Sequence, residues 1–240
     1  MAQLFSLGAF ANMYIPDILS GNAERIREIR PDDQFIEIDR EVWREIDLDG
    51  IIDGGALGIS RGQVKSLAPI LDHQALVPCD EAFPALRRFF VAVMLWGFGR
   101  TGYGAHRTGA MLAAPNLKPT LCAVTRCIAF GMYGAAYDVF RAAKIPFLGP
   151  SFASKYLYFC SIGTAYPVKA LIFDSRVAGA LRRSDLPPDF WQYLTHNSGA
   201  DSSVHWSSSG YLQYLILMHA WASALHCTAD QIEMFLFVNE

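Results

Sequence analysis

Apolar stretches broken by glycine, proline or short polar turns fill the chain from residue 82 onward. Ala82–Trp96 predicts a buried helix. A turn at Asn116–Lys118 leads to a second apolar helix over Pro119–Tyr133, and Ala135–Ala143 predicts a third, which Pro146 ends. Ser151–Phe159 predicts a helix entered through the Gly149–Pro150 turn. Val168–Phe173 is an apolar approach to Asp174, which is placed to cap a helix over Ser175–Arg183. Tyr211–Leu225 and Ala229–Phe237 predict the last two helices. Before residue 82 the pattern is weaker: Ala23–Arg30 predicts a short helix, and Gln34–Ile52 mixes apolar and acidic positions with no clean period. Ser184–Gly210 is polar and irregular and carries Trp191 and Trp206. Strand signals are few, so the fold class expected is mainly α. The division expected is an N-terminal segment of undefined fold, 1–80, packed on a helical domain, 81–240.

The chain has 240 residues, 52% of them hydrophobic and 13% aromatic, enough to bury a substantial core. No apolar run is long enough for a membrane-spanning helix, and the N-terminus lacks the basic start of a signal peptide. The five cysteines have irregular spacing, which predicts reduced thiols in a cytoplasmic protein. They show no iron–sulfur or zinc pattern. Asp47, Asp49 and Asp53 fail the spacing of a calcium loop. The histidines at 73, 106, 196, 205, 219 and 226 are scattered, so no metal site is expected. The net charge of −3 disfavours a general nucleic-acid coat. Acidic residues cluster at Asp32–Asp53, however, and leave a mildly basic middle from Arg87 to Arg183, the asymmetry expected if the centre of the chain meets phosphates.

Phe140–Phe159 predicts helix, hairpin and helix, with small residues at Gly149, Ser151, Ala153 and Ser154 just before Lys155. Small residues let a phosphate approach the backbone. Amides at the start of the next helix can then bind it without reading sequence. The spacing of this hairpin from Asp174 resembles that of the helix-hairpin-helix DNA glycosylases, within them the 8-oxoguanine DNA glycosylase branch. That family has a Gly-x-Gly-Thr-Lys hairpin followed by Val-Asp; here Ser151–Phe152–Ala153–Ser154–Lys155 and Asp174 stand at those positions. Trp221–Ala222–Ser223–Ala224 resembles the Trp-Ala-Gln-Ala on the family's late helix, and the likeness runs roughly from Ala82 to Phe237. Ser151 and Ala153 replace glycines, Ser223 replaces a glutamine that holds the purine edge, and Cys227 replaces an aromatic platform. GPSFASKYLYF and DQIEMFLF resemble a prokaryotic branch found in anti-phage defence loci, whose members remove glucosylated hydroxymethylcytosine.

The resemblance implies a helical bundle with its hairpin region at about 140–183, and a DNA glycosylase. In that reading Lys155 is the amine nucleophile and Asp174 the catalytic carboxylate, with Phe152, Trp221 and Ser223 at the base pocket. Double-stranded DNA holding a modified base is the partner, and there is no membrane. It implies no cofactor apart from a structural monovalent cation at the hairpin. A Schiff base at Lys155 would add strand nicking by β-elimination.

The stretch GFGRTGYGAHR has two readings. It is a wedge, with Tyr103 or His106 stacking where a base was extruded and Arg100 and Arg107 on phosphates or the orphan base, or it is a glycine-rich connector. Asp174 alone reads as a helix cap, Trp221 and Ser223 as helix packing, and His205 beside Trp206 as a loop residue. Three activities follow: excision of a bulky modified cytosine from foreign DNA, repair of 8-oxoguanine, or binding of modified DNA without cutting.

Overall fold

A computed structural model describes residues 14–71, 78–186 and 207–239. Trp191, Trp206, His73, His196 and His205 lie outside them. The chain divides into two compact units, Asp32–Ala170 and the pair of segments Met1–Pro31 and Leu171–Glu240. The breaks fall at residues 31 and 170, whereas the sequence placed a border near 80. Among the described residues no helix is long and apolar enough to cross a membrane.

In the unit Asp32–Ala170, β1 (Phe35–Glu37) pairs antiparallel with β2 (Gly58–Ser60), with Ile36 opposite Ile59. Helix α3 (Arg61–Ser66) follows at once, started by a reciprocal cap between Ser60 and Gln63. Helices α4 (Cys79–Phe98), α5 (Gly104–Leu112), α6 (Leu117–Ala129), α7 (Tyr133–Ala143) and α8 (Pro150–Ser161) complete the unit. The apolar α4 packs on α6, α8 and α5, and α7 packs on α6 and α8. Phe89, Phe90, Phe140 and Tyr156 fill the centre of this bundle. Arg61 is fully buried, with its guanidinium 4.5 Å from the Tyr158 ring centre and 5.6 Å from that of Trp96. It thereby ties α3 to α4 and α8 through cation–π contacts.

Several boundaries differ from the expected ones for local reasons. α6 begins at Leu117, which puts Pro119 in the first turn where a missing N–H goes unnoticed. It stops before Gly131, which adopts φ 67°. There the Met132 amide reaches the Cys127 carbonyl at 2.9 Å and the Gly131 amide reaches Ile128 at 2.9 Å, so the predicted run to Tyr133 is cut by a Schellman ending. His106 and Arg107 belong to helix α5, and the glycine-rich break shrinks to Gly99–Tyr103. Gly99 has φ 53°, and a Cβ there would meet Ile36 Cγ2 at 2.6 Å. Its carbonyl accepts the buried Trp43 indole N–H at 3.1 Å.

The expectation of reduced thiols throughout is corrected. Cys79 and Cys122 form a disulfide across 43 residues of chain, with Cα atoms 5.7 Å apart, while Cys127, Cys160 and Cys227 remain thiols. Spacing could not reveal the pair, because it is made by the packing of α4 on α6. Closing a loop of this length restricts the unfolded chain by about 4 kcal/mol in the entropy account. Paired Cys79→Ala and Cys122→Ala substitutions are therefore expected to lower unfolding stability by about 2–4 kcal/mol. Urea melts with and without reductant check this; coincident curves would show that the link contributes nothing.

The other unit contains α1 (Asp17–Ser20), α2 (Ala23–Glu28), α9 (Ser175–Arg182), α10 (Ser208–Ala224) and α11 (Ala229–Val238). α11 packs on α2, α9 and α10. The extended segment before Asp174 is held by hydroxyls from α10: Tyr211 donates to the Leu171 carbonyl at 2.8 Å and Tyr214 to Ile172 at 2.7 Å. The N-terminal segment is stitched in by side chains. Trp221 Nε1 donates to the Tyr14 carbonyl at 2.9 Å. The Tyr14 hydroxyl donates to an Asp185 carboxylate oxygen at 2.6 Å, and this bond pushes the phenol pKa up to about 12. Gln231 caps α11 at Thr228 and donates to the carbonyls of Arg27 and Ile29, both at 2.9 Å.

Candidate active site

The hairpin joins α7 to α8. Lys144 ends α7 in a left-handed conformation with φ 49°. Ile145 and Leu148 are buried and anchor the connection. Phe147, between them, also has positive φ, 62°, and is 50% exposed. A bulky residue at such an angle is strained. Gly149 caps α8 in extended conformation and Pro150 takes the first helical position. Ser151, Phe152, Ala153, Ser154 and Lys155 thus all lie within the helix. Ser151 and Phe152 are half-buried, whereas Ala153 and Ser154 are fully buried. The Ser154 hydroxyl donates to the Ser151 carbonyl at 3.0 Å. Of these small residues, Gly149 and Ser151 are the ones that keep some exposure.

Lys155 is only 8% exposed, and its Nζ lies 5.5 Å from the Phe152 ring centre. From that ring a chain of contacts runs outward. Phe152 stacks on Phe98 at 4.1 Å, and Phe98 meets Tyr103 edge-on at 6.1 Å. The Arg107 guanidinium lies 3.9 Å from the centre of the Tyr103 ring and 5.3 Å from that of Phe147. His106 packs beside Phe147 at 6.2 Å. Tyr103 is 50% exposed. The hairpin and the glycine-rich stretch, distant in sequence, are thus joined by side-chain contacts that end at exposed Tyr103 and Phe147 on either side of the Arg107 guanidinium. Arg100 is turned to Glu37 instead, at 2.9 Å, in an exposed ion pair of small energetic weight.

Asp174, Trp221 and Ser223 belong to the other unit. Asp174 is 7% exposed. Its Oδ1 accepts the amides of Arg176 at 3.1 Å and Val177 at 3.2 Å, so it caps α9 as its position before Ser175 predicts. Trp221 is buried and bonded to Tyr14; Ser223 is exposed.

Two residues of this run of contacts, Phe98 and Phe147, escaped the sequence reading. Phe98 lies inside the glycine-rich stretch GFGRTGYGAHR, where the wedge reading singled out Arg100, Tyr103, His106 and Arg107 instead. An aromatic side chain in a proline-led turn at Phe147 was a readable signal, but its left-handed backbone was not. Among the described residues no cluster of three or more histidine, cysteine or acidic side chains could hold a metal ion. For a monovalent cation the hairpin offers main-chain carbonyls. Those of Ile145, Phe147 and Gly149 already accept amides of Leu148, Gly149, and Phe152 with Ala153. These carbonyls are drawn into the turn and the first bonds of α8. Burial pushes the Cys160 thiol up to about 12, which makes it inert as a nucleophile.

The mainly helical architecture agrees with that of the helical DNA glycosylases. The family described as "Putative 8-oxoguanine DNA glycosylase OGG-like protein" matches residues 27–237, and the chain belongs to it. That description points to DNA glycosylase activity, with DNA as the partner. No curated protein and no solved structure matches the chain significantly.

Proposed function

We propose that the protein extrudes a modified base from duplex DNA and cuts its N-glycosidic bond with Lys155. The observation that carries this reading is the run of side-chain contacts from buried Lys155 through Phe152 and Phe98 to Tyr103, Arg107 and Phe147 at the exposed end. It gives a sheltered amine an outer edge built to stack on bases and attract phosphate. The Ser151 amide in the first turn of α8 donates to a backbone phosphate.

Extrusion costs a few kcal/mol and exposes the sugar anomeric carbon C1′. The Nζ lone pair of Lys155 attacks C1′. The C1′–N bond breaks, its electron pair leaves with the base, and the base takes a proton. The Asp174 carboxylate stabilises the positive charge that builds on the sugar, or orients the attacking group. The sugar ring then opens: the C1′–O4′ bond breaks, O4′ keeps its electron pair and takes a proton, and the C1′–Nζ bond becomes a protonated imine. Loss of a C2′ proton expels the 3′ phosphate and nicks the strand, and water hydrolyses the imine to return the lysine.

The preferred substrate is a bulky modified cytosine such as glucosylated hydroxymethylcytosine in phage DNA, because short Ser223 stands where the family places a glutamine. The family description favours the alternative, 8-oxoguanine repair. The compartment we assign is the cytoplasm, where the Cys79–Cys122 link would face reduction. Duplexes carrying each modification or normal bases, heated with alkali after incubation, separate these readings. Release of neither base, with binding retained, would leave a non-catalytic reader of modified DNA.

Phe147 is assigned to the DNA surface. Phe147→Gly relieves a left-handed aromatic residue, so stability is expected to stay level or rise by up to about 1 kcal/mol. Affinity for a duplex with an abasic site should weaken about tenfold, since one stacked base is worth about 1–3 kcal/mol. Thermal melts and fluorescence anisotropy read the two effects. Unaltered affinity would remove Phe147 from the interface.

A further inference from the structure

A glycine in the last turn of a long apolar helix weakens it relative to alanine, yet α4 carries Gly97 there. Its conformation needs no glycine; the space beside it does. A Cβ on Gly97 would stand 2.6 Å from Phe152 Cε1, 3.2 Å from Phe152 Cδ1 and 3.3 Å from Lys155 Cδ. The Phe152 ring cannot swing clear at no cost, because Phe98 stacks on it at 4.1 Å. Gly97 therefore opens a slot in which the ring lies against the backbone of α4, and the stem of Lys155 runs through the same slot. The Lys155 amine rests 5.5 Å from the ring centre.

We infer that Gly97 and Phe152 are positioning residues that set the direction in which the Lys155 amine meets the sugar. Neither touches the substrate in this role. Phe152 forms a wall that limits the rotamers of the lysine stem, and Gly97 leaves room for that wall. This rests on the proposed role of Lys155 as nucleophile. It also reassigns Phe152 from lining the base pocket to aiming the amine.

The test uses the full chain and a duplex with one abasic site, so the identity of the excised base does not matter. The Lys155 amine adds to the C1′ aldehyde of the opened sugar. Water carries away the aldehyde oxygen, and borohydride delivers hydride to the imine carbon, leaving a stable secondary amine. Gly97→Ala is expected to slow adduct formation about tenfold to a hundredfold, the scale of a displacement of about 1 Å at a reacting atom. Duplex affinity should stay within about twofold, since positioning of an amine is not phosphate binding. Phe152→Val in the Gly97→Ala background removes the ring atoms that collide, and should recover part of the lost rate. A lost-packing effect would not be rescued by removing more packing. If Gly97→Ala does not fold, Phe152→Val alone is read, with a slower adduct at kept affinity expected. Gly97→Ala at the wild-type rate, or a double variant as slow as the single one, overturns the inference; so does a wild-type rate for Phe152→Val alone. A wild-type protein that forms no Lys155-dependent adduct overturns the nucleophile reading itself, and this inference with it.

Discussion

Lys155→Gln is expected to abolish the borohydride-stable adduct and to slow base release about a thousandfold or more, the scale seen when a covalent nucleophile is removed. Glutamine keeps much of the stem that runs past Phe152, so the loss cannot be blamed on a hole in the slot. Lys155 is only 8% exposed, and a nearly buried lysine is unusual for a surface charge. The rival amine is Lys169. Desolvation lowers its pKa, and its Nζ donates to the Thr164 carbonyl at 2.7 Å. Lys169→Gln is the control and should leave the adduct intact. Peptide mapping of the adduct decides between them, and attachment at Lys169 would sink the assignment of the nucleophile. Base release that persists in Lys155→Gln would instead mean that Asp174 activates water and that the enzyme is monofunctional.

The second large effect is at Asp174, where two roles share one side chain. Its Oδ1 caps α9 through the amides of Arg176 and Val177, and its charge is assigned to the sugar. Asn is as good a cap as Asp. Asp174→Asn should therefore leave the melting curve in place while excision falls about a hundredfold or more, with DNA affinity kept. Asp174→Ala should lose the cap as well, at about 1 kcal/mol of stability. Single-turnover excision beside thermal unfolding separates the two. Full turnover in Asp174→Asn would take the carboxylate out of the mechanism.

The helices of this chain were legible because their apolar runs are long and their ends are marked. Pro150 opens α8, Asp174 caps α9, and the reciprocal Thr228–Gln231 cap starts α11. What stayed hidden depends on contacts between segments far apart in sequence. His106 and Arg107 looked like loop residues because glycines surround them. They are helical because Gly104 packs against Phe98 and Trp43, where a Cβ would come within 2.7 Å and 3.0 Å. The strand Phe35–Glu37 has no period of its own and exists through its pairing with Gly58–Ser60. The disulfide and the slot at Gly97 are likewise invisible in a one-dimensional pattern. The lysine and the aspartate could be singled out as candidates from the sequence, but only through a resemblance. Phe147 needed its backbone angle.

One unit is built from both flanks of the other. Residues from Asp32 to Ala170 emerge from the ribosome as a continuous stretch, able to settle while synthesis is still under way. The segment ending at Pro31 must wait for Trp221 and Gln231, its hydrogen-bonding partners near the far end. The amine at 155 and the acid at 174 thus belong to units whose last residues are synthesised at different moments. A nascent or prematurely stopped chain would carry the amine proposed to attack without the carboxylate proposed to assist it.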